Sequence, residues 1–116
     1  MVGNIRALFV KRQKKGGVDV SDLRTQEVED LLTVMSGIKN NNDGYALLED
    51  LFTVREIKDI SQRLSVARLL EEGKSYTAIE QVTGASATTI ARVSKALNYG
   101  SGGYRTALET LGIEKA

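Results

Sequence analysis

The chain has 116 residues and a hydrophobic fraction of 41%, which is enough for one globular domain with a modest core. It contains neither cysteine nor histidine, so disulfides, cysteine metal sites and the commonest general base are excluded. No apolar run is long enough to cross a membrane and no signal peptide is visible, which predicts a cytoplasmic protein without a membrane partner.

The net charge of +1 is unevenly distributed along the chain. Residues 1–20 carry five basic and one acidic side chain, residues 21–73 carry six and eleven, and residues 74–116 carry five and three. A basic surface is typical of nucleic-acid binding. A solvated surface on which charges are unevenly distributed by chance explains so small an excess of basic side chains equally well.

Residues 1–20 are predicted to be a basic extension ahead of a helical domain that covers residues 21–116. Gly16 and Gly17 follow the basic run and form a flexible joint. Three alternatives remain open for the extension: a basic arm that reaches phosphates or a minor groove, a packed strand or helical turn, and an unstructured tail.

Two short amphipathic helices are predicted next. The first covers residues 22–36, where four apolar residues recur at helical spacing, and it ends at Gly37. These apolar residues are Val28, Leu31, Leu32 and Met35. Residues 40–44 are predicted to be a turn, and residues 44–51 a second helix. The side chains that this second helix is expected to bury are Leu47, Leu48 and Leu51.

A capping box predicts the start of a long central helix at residue 54. The Thr53 side chain is expected to accept from the Glu56 backbone N–H, while the Glu56 carboxylate reaches back to the Thr53 N–H. The helix is predicted to cover residues 54–72 and to end at Gly73. Its apolar residues form a wide stripe, so it should pack on two sides. They are Ile57, Ile60, Leu64, Val66, Ala67, Leu69 and Leu70.

Residues 75–97 predict a helix-turn-helix, a module that places its second helix in the major groove of DNA. Gly84 supplies a left-handed turn between the helices, and Ser86 is expected to cap the second one. The apolar positions are Ile79 and Val82 in the first helix and Ile90, Val93 and Leu97 in the second. One departure from the motif is Glu80, because a small residue is usual four positions before the turn glycine.

A glycine-rich loop, Gly100–Gly103, leads to a terminal amphipathic helix around residues 104–111. The loop follows a helix and lacks the lysine of a P-loop, so we interpret it as a linker. Without histidine or cysteine no ordinary nucleophile–base pair can be built, and the chain is predicted not to be an enzyme. The pattern as a whole predicts an all-α fold of six short helices, whose apolar faces are covered either within a monomer or across a dimer.

Residues 52–97, and more loosely residues 22–111, resemble the Trp-repressor-like family, in particular its YerC/YecD branch. The resemblance is carried by LFT, QRL, the leucine pair before Gly73, TGAS, TIARV and LNYGSGGY. It implies an intertwined, all-helical homodimer with six helices in each chain. It also implies that the dimer has two helix-turn-helix units, about 34–36 Å from each other, which read a palindromic operator.

We predict that DNA is bound by the starts of both helices of the helix-turn-helix and by the outer side of the second. The residues concerned are Lys74, Thr77, Ser86, Ala87, Thr88, Thr89, Arg92 and Lys95. Arg92 is expected to contact a base edge or a phosphate, and Lys95 a phosphate. Ser86 and Thr89 have the alternative role of helix caps.

The resemblance also implies a corepressor site, because two arginines of the Trp repressor enclose the indole of L-tryptophan. Arg63 and Arg92 occupy the matching positions. The repressor has glycine after the second arginine, whereas Val93 stands here, and its branched side chain would project into the space of the indole. The interpretation we favour has no tryptophan corepressor: Arg92 then contacts DNA, and Arg63 pairs with Asp59 four residues earlier.

These observations predict a cytoplasmic, nucleoid-associated transcription factor of the repressor type, which binds double-stranded operator DNA as a homodimer. The alternative is a helical dimeric protein-interaction module without specific DNA binding. Salt dependence separates the two hypotheses, because phosphate contacts release counterions and protein contacts generally depend less on salt.

Overall fold

The computed structural model describes Lys14–Lys15, Val18–Asp19 and residues 23–113. Lys14–Lys15 (β1) and Val18–Asp19 (β2) form an antiparallel pair in which Lys14 lies opposite Asp19. The rest of the predicted basic extension, including its boundary with the helical domain, lies outside the described residues.

The remaining described residues form six α-helices and confirm the predicted all-α fold. In chain order they are α1 (Gln26–Ser36), α2 (Asn41–Leu51), α3 (Val54–Glu71), α4 (Tyr76–Thr83), α5 (Ala87–Tyr99) and α6 (Gly103–Thr110). The chain divides into two compact units between Leu47 and Leu48. None of the helices within residues 23–113 is both long and apolar enough to cross a membrane.

Helix α1 is shorter than predicted, since it begins at Gln26 and not at residue 22. The hydroxyl of Thr25 accepts a hydrogen bond from the backbone N–H of Val28 at 3.3 Å. This bond satisfies one of the free donors that every helix start presents, and it fixes the first turn at this point. The predicted end at Gly37 is confirmed.

Helix α2 begins at Asn41, so the predicted turn at residues 40–44 was wrong. Asn40 Oδ1 accepts from the Asp43 backbone N–H at 2.8 Å, and Asn40 Nδ2 donates to Asp43 Oδ2 at 3.0 Å. The asparagine that indicated a turn therefore acts as a helix cap. Gly44 lies inside the helix, where its backbone N–H donates to the Asn40 carbonyl at 3.1 Å.

Neither α1 nor α2 contains a fully buried side chain. In the single chain the α2 leucines that were predicted to be buried are only partly covered: Leu51 is exposed, and Leu47 and Leu48 are half-buried. On α1, Leu32 and Met35 of the predicted apolar stripe are exposed, and the other two residues of the stripe are half-buried. Within the described residues of the single chain, the apolar faces of both helices are thus left partly open to solvent.

The capping box at the start of the central helix α3 is confirmed. Thr53 Oγ1 accepts from the Glu56 N–H at 3.1 Å, and Glu56 Oε1 accepts from the Thr53 N–H at 2.9 Å. The pKa of the Glu56 carboxyl lies below its ordinary value, because the carboxylate is stabilised first by the hydrogen bond that it accepts from the Thr53 backbone N–H and second by the Thr53 side chain. The helix ends at Glu71, and Gly73 follows with a φ of 81°.

The apolar core lies on α3, as predicted for a central helix. Helices α4, α5 and α6 all contact α3. The buried cluster consists of Val66, Ala67, Ile79, Ala85, Ile90 and Val93, with Leu69, Leu70 and Tyr104 packed against it. Leu108 of α6 is also buried. Because α4 and α5 each contribute to this cluster, the core fixes the helix-turn-helix against α3.

Candidate nucleic-acid interface

Helix α4 opens the predicted helix-turn-helix. The Ser75 hydroxyl accepts from the Ala78 backbone N–H at 3.2 Å and so caps the helix. Ile79 is fully buried and anchors the helix to the core. Lys74 and Thr77 are exposed beside the helix start, where the free N–H groups and the helix dipole favour an anion.

The turn between α4 and α5 has the geometry that the sequence predicted. Gly84 adopts a left-handed φ of 73°, and its backbone N–H donates to the Glu80 carbonyl at 2.9 Å. A side chain at this φ would be strained, which explains the glycine. Glu80 itself is exposed, so the departure from the motif places no carboxylate between the two helices.

Helix α5 presents two different faces. Ser86 Oγ accepts from the Thr89 backbone N–H at 3.1 Å, which confirms the predicted cap. The face packed on the core consists of Ile90, Val93 and Leu97, and all three are buried. The other predicted DNA-binding residues of this helix are Ala87, Thr88, Arg92 and Lys95, and all four are exposed. Thr89 is half-buried, and the remaining predicted contact residues lie together on the exposed side of the module.

The exposed side of the helix-turn-helix is weakly basic. Within residues 74–99 the charged side chains are Lys74, Glu80, Arg92 and Lys95. Among the described residues 23–113, neither Arg92 nor Lys95 forms an ion pair. Cations that are exposed and not engaged in such pairs are the groups with which a protein neutralises DNA phosphates. In the same part of the chain, no group of acidic side chains is arranged to hold a metal ion.

The prediction for Val82 was wrong, since this residue is 71% exposed. Val82 was expected to share an apolar stripe with Ile79, three residues earlier. Ile79 is fully buried, whereas Val82 lies in the last turn of a short helix that ends at Thr83. The spacing of Ile79 and Val82 correctly indicated a helix, but it could not indicate that the core ends before Val82.

The two arginines implied by resemblance to hold a corepressor are both exposed. The expected ion pair between Arg63 and Asp59 is not formed; an exposed i,i+4 pair at the end of α3 joins Arg68 to Glu72 at 3.2 Å. Val93 is 2% exposed and belongs to the core cluster. A shallow polar groove of about 410 Å³ runs beside α3, and neither arginine lines it. Its lining residues are Lys58, Ser61, Gln62, Ser65 and Thr83.

Two polar contacts around α5 were missed by the sequence analysis. Gln62 Nε2 of α3 donates to the Thr83 carbonyl at the end of α4, at 3.0 Å. Arg105 of α6 forms an ion pair with Glu71 of α3, and its Nη2 donates to Asn98 Oδ1 of α5 at 3.1 Å. Gln62 and Thr83 lie 21 positions apart and Glu71 and Arg105 lie 34 apart, so no local spacing could have indicated these contacts.

Comparison with known proteins identifies the family of this chain. The family described as Trp repressor protein matches residues 26–112. The uncharacterised protein YerC of Bacillus subtilis strain 168 is 41% identical over 92 residues, which cover 79% of this chain and 88% of YerC.

Two solved structures share the fold. A candidate Trp repressor from Staphylococcus aureus has a TM-score of 0.78 and 36% identity, covering 84% of this chain and 97% of its own. A TrpR-like protein from Eubacterium eligens has a TM-score of 0.77 and 41% identity, covering 83% and 99%. The predicted resemblance, including its YerC branch, is confirmed. The chain belongs to the Trp repressor family.

Proposed function

We propose that this protein is a sequence-specific transcriptional regulator of the repressor type, which binds operator DNA as a homodimer and reads it with α5. The observation that carries the proposal is the two-faced character of α5. Its apolar face is buried in the core, while the small residues Ala87 and Thr88 of its first turn and two cations are exposed. A helix held in this way can enter a major groove while it keeps all of its contacts with the core.

The exposed side chains have different roles in this proposal. Arg92 contacts a base edge or a phosphate, and Lys95 contacts a phosphate. Ala87 and Thr88 are small enough to let the first turn approach the bases, where their methyl groups pack on thymine methyls. Ser86 caps the helix and lies next to the groove, whereas Thr89, predicted as a second cap, supplies the backbone N–H that Ser86 accepts and the hydroxyl to which Ser86 donates. Lys74 and Thr77 add phosphate contacts at the start of α4.

The homodimer in this proposal is supported by the open apolar faces of α1 and α2. Helices of eleven residues without a buried side chain are marginal alone and need a packing partner. A second copy supplies a matching apolar face by symmetry. It also supplies the second helix-turn-helix that a palindromic operator requires, about 34–36 Å from the first. Repression then follows from occupancy of the operator, in the cytoplasm at the nucleoid.

The dimer is tested by two glutamate substitutions on α1. Met35 and Val34 are 51% and 52% exposed in the single chain, but only Met35 lies on the predicted apolar stripe. Met35→Glu should convert the dimer into a monomer in sedimentation equilibrium, because the carboxylate would be buried without a partner. Val34→Glu, the matched control, should remain dimeric. A wild-type monomer, or equal effects of the two variants, would contradict the proposed interface.

The DNA proposal is tested by selecting duplexes from a random-sequence pool with the wild-type protein. The selected duplex and a scrambled duplex of equal length are then titrated at several salt concentrations. Arg92→Ala should weaken binding to the selected duplex by about tenfold or more. Lys95→Ala should weaken both duplexes alike and reduce the slope of log affinity against log salt by about 1. Lys39→Ala removes an exposed cation outside the helix-turn-helix and should change neither.

The protein-interaction alternative is favoured by one observation, the exposed Val82 on α4. An apolar side chain on the outer side of the helix-turn-helix is suited to contact with another protein. Under this alternative the wild-type protein selects no duplex sequence from the pool, and any residual DNA binding is unchanged in Arg92→Ala. That pair of results would refute the DNA-reading role of α5.

A further inference from the structure

The apolar face of α5 holds this helix against the core, and polar contacts at both of its ends add to this packing. Ile90, Val93 and Leu97 pack as hydrophobic side chains, and such packing is non-directional. Hydrogen bonds are directional, because they weaken steeply as their angle departs from linearity. The polar contacts can therefore add directional constraints on the orientation of α5 to those of the apolar packing.

The first polar contact fixes the turn that leads into α5. Gln62 Nε2 of α3 donates to the Thr83 carbonyl at 3.0 Å, which is one of the last carbonyls of α4 and lacks an intrahelical partner. Thr83 Oγ1 donates to the Ile79 carbonyl at 2.7 Å and accepts from the Ala85 backbone N–H at 3.1 Å. The Gln62 amide thus donates to Thr83, whose side chain already forms hydrogen bonds on both sides of the turn.

The second polar contact fixes the other end of α5. Glu71 of α3 pairs with Arg105 of α6, and Arg105 Nη2 donates to Asn98 Oδ1 at 3.1 Å. Asn98 Nδ2 in turn donates to the Ser94 carbonyl at 2.9 Å. One guanidinium therefore joins α3, α6 and the last turns of α5, and its planar fork allows it to bind both partners at once.

Both contacts originate on α3, nine positions apart in sequence. At 1.5 Å per residue, Gln62 and Glu71 are separated by about 13.5 Å along the helix axis, while the thirteen residues of α5 span about 20 Å. We propose that Gln62 and Glu71 form a two-point polar clamp, acting through Thr83 and Arg105, that sets the orientation in which α5 meets DNA. They are positioning residues, and the inference rests on the proposed DNA-reading function of α5.

The clamp is tested with variants that remove one polar contact and preserve size. Gln62→Met removes the donor to Thr83. Arg105→Lys keeps a cation beside Glu71 but loses the fork that also reaches Asn98. Gln81→Met is the matched control, because Gln81 is exposed on α4. Each protein is titrated with the duplex that the wild type selects from a random pool and with a scrambled duplex of equal length, and its thermal midpoint is measured.

We expect Gln62→Met and Arg105→Lys to lower the ratio of selected to scrambled affinity by about fivefold, the equivalent of one directional hydrogen bond. Affinity for the scrambled duplex and the salt slope should stay at wild-type values, since no phosphate-binding cation is changed. Amide hydrogen exchange at Ala85 should accelerate in Gln62→Met but not in Gln81→Met.

Three other outcomes would overturn the clamp, and they are distinguishable. If the wild type selects a duplex and both variants retain its selectivity, the clamp alone is wrong. If selected and scrambled affinity fall together with the thermal midpoint, the two contacts serve stability and not orientation. If the wild type selects no sequence, the proposed function fails and the clamp fails with it.

Discussion

Replacing Arg105 with methionine should destabilise this protein far more than any comparable change at a surface ion pair. The Glu71 side chain is 11% exposed and that of Arg105 is 29% exposed, so the substitution leaves a nearly buried carboxylate without its cation. It also removes the hydrogen bond to Asn98. Loss of one partner of a fully buried pair costs about 3–5 kcal/mol. Because this pair is partly hydrated, we expect roughly 2 kcal/mol.

The measurement is thermal unfolding at fixed protein concentration, since the midpoint of an associating protein depends on concentration. A loss of roughly 2 kcal/mol corresponds to a fall of about 8–16 °C for a domain of this size. The matched control is Arg68→Met, which breaks an i,i+4 pair with Glu72 whose side chains are 51% and 35% exposed. An exposed pair of this kind contributes about 0.3–0.5 kcal/mol, so its midpoint should fall by about 2 °C.

A double-mutant cycle with Glu71→Gln separates the ion pair from the lost packing of the Arg105 stem. If the carboxylate is the cause, Arg105→Met should cost much less in the Glu71→Gln background, with a coupling of about 1–2 kcal/mol. Equal losses for Arg105→Met and Arg68→Met would refute the reasoning. So would a cycle without coupling, because the destabilisation would then come from packing alone.

Three further predictions concern the turn, the capping box and the corepressor. Gly84→Ala should cost about 1–2 kcal/mol in denaturant unfolding from left-handed strain alone, since the added methyl would meet no atom closer than 4.0 Å; a neutral effect would contradict the φ of 73°. The lowered pKa of Glu56, due first to the Thr53 backbone N–H, favours the folded state above the ordinary carboxyl pKa of about 4.3. That stabilisation is lost as the pH falls through the lowered pKa, so Glu56→Gln should reduce the thermal midpoint at pH 7 but not near pH 2, whereas the exposed Glu49→Gln should show no such difference. L-Tryptophan should give no binding heat in calorimetry, because the buried Val93 occupies the position that a ligand-contacting glycine would leave open; saturable heat would contradict this.

Local sequence signals predicted the helices whose ends are set by neighbouring residues. Thr53 and Glu56 are three positions apart, so their capping box was predictable and is confirmed. Gly84 and Ser86 likewise fixed the turn and the start of α5. The error at Asn40 has a local cause as well, because asparagine favours both turns and helix caps, and the side-chain bonds with Asp43 decide between them.

Features that depend on contacts between distant residues were not predictable in this way. The exposure of Val82 depends on where the core ends, and the sequence period of α4 does not contain that information. Gln62 reaches Thr83 across 21 positions, and Arg105 reaches Glu71 across 34. Glutamine, arginine and glutamate on helix surfaces are ordinary in sequence, and only the packing of α3, α4 and α6 brings these particular ones together.

Because the apolar faces of α1 and α2 are open, hydrogen exchange in these helices should report on dimer formation. A segment with no buried side chain opens to solvent at little free-energy cost, whereas α3 to α6 share a buried cluster. In dilute solution the amides of α1 and α2 should therefore exchange with deuterium within the earliest time points. As the protein concentration rises, covering of these faces should slow their exchange, while the amides of α3 remain protected throughout.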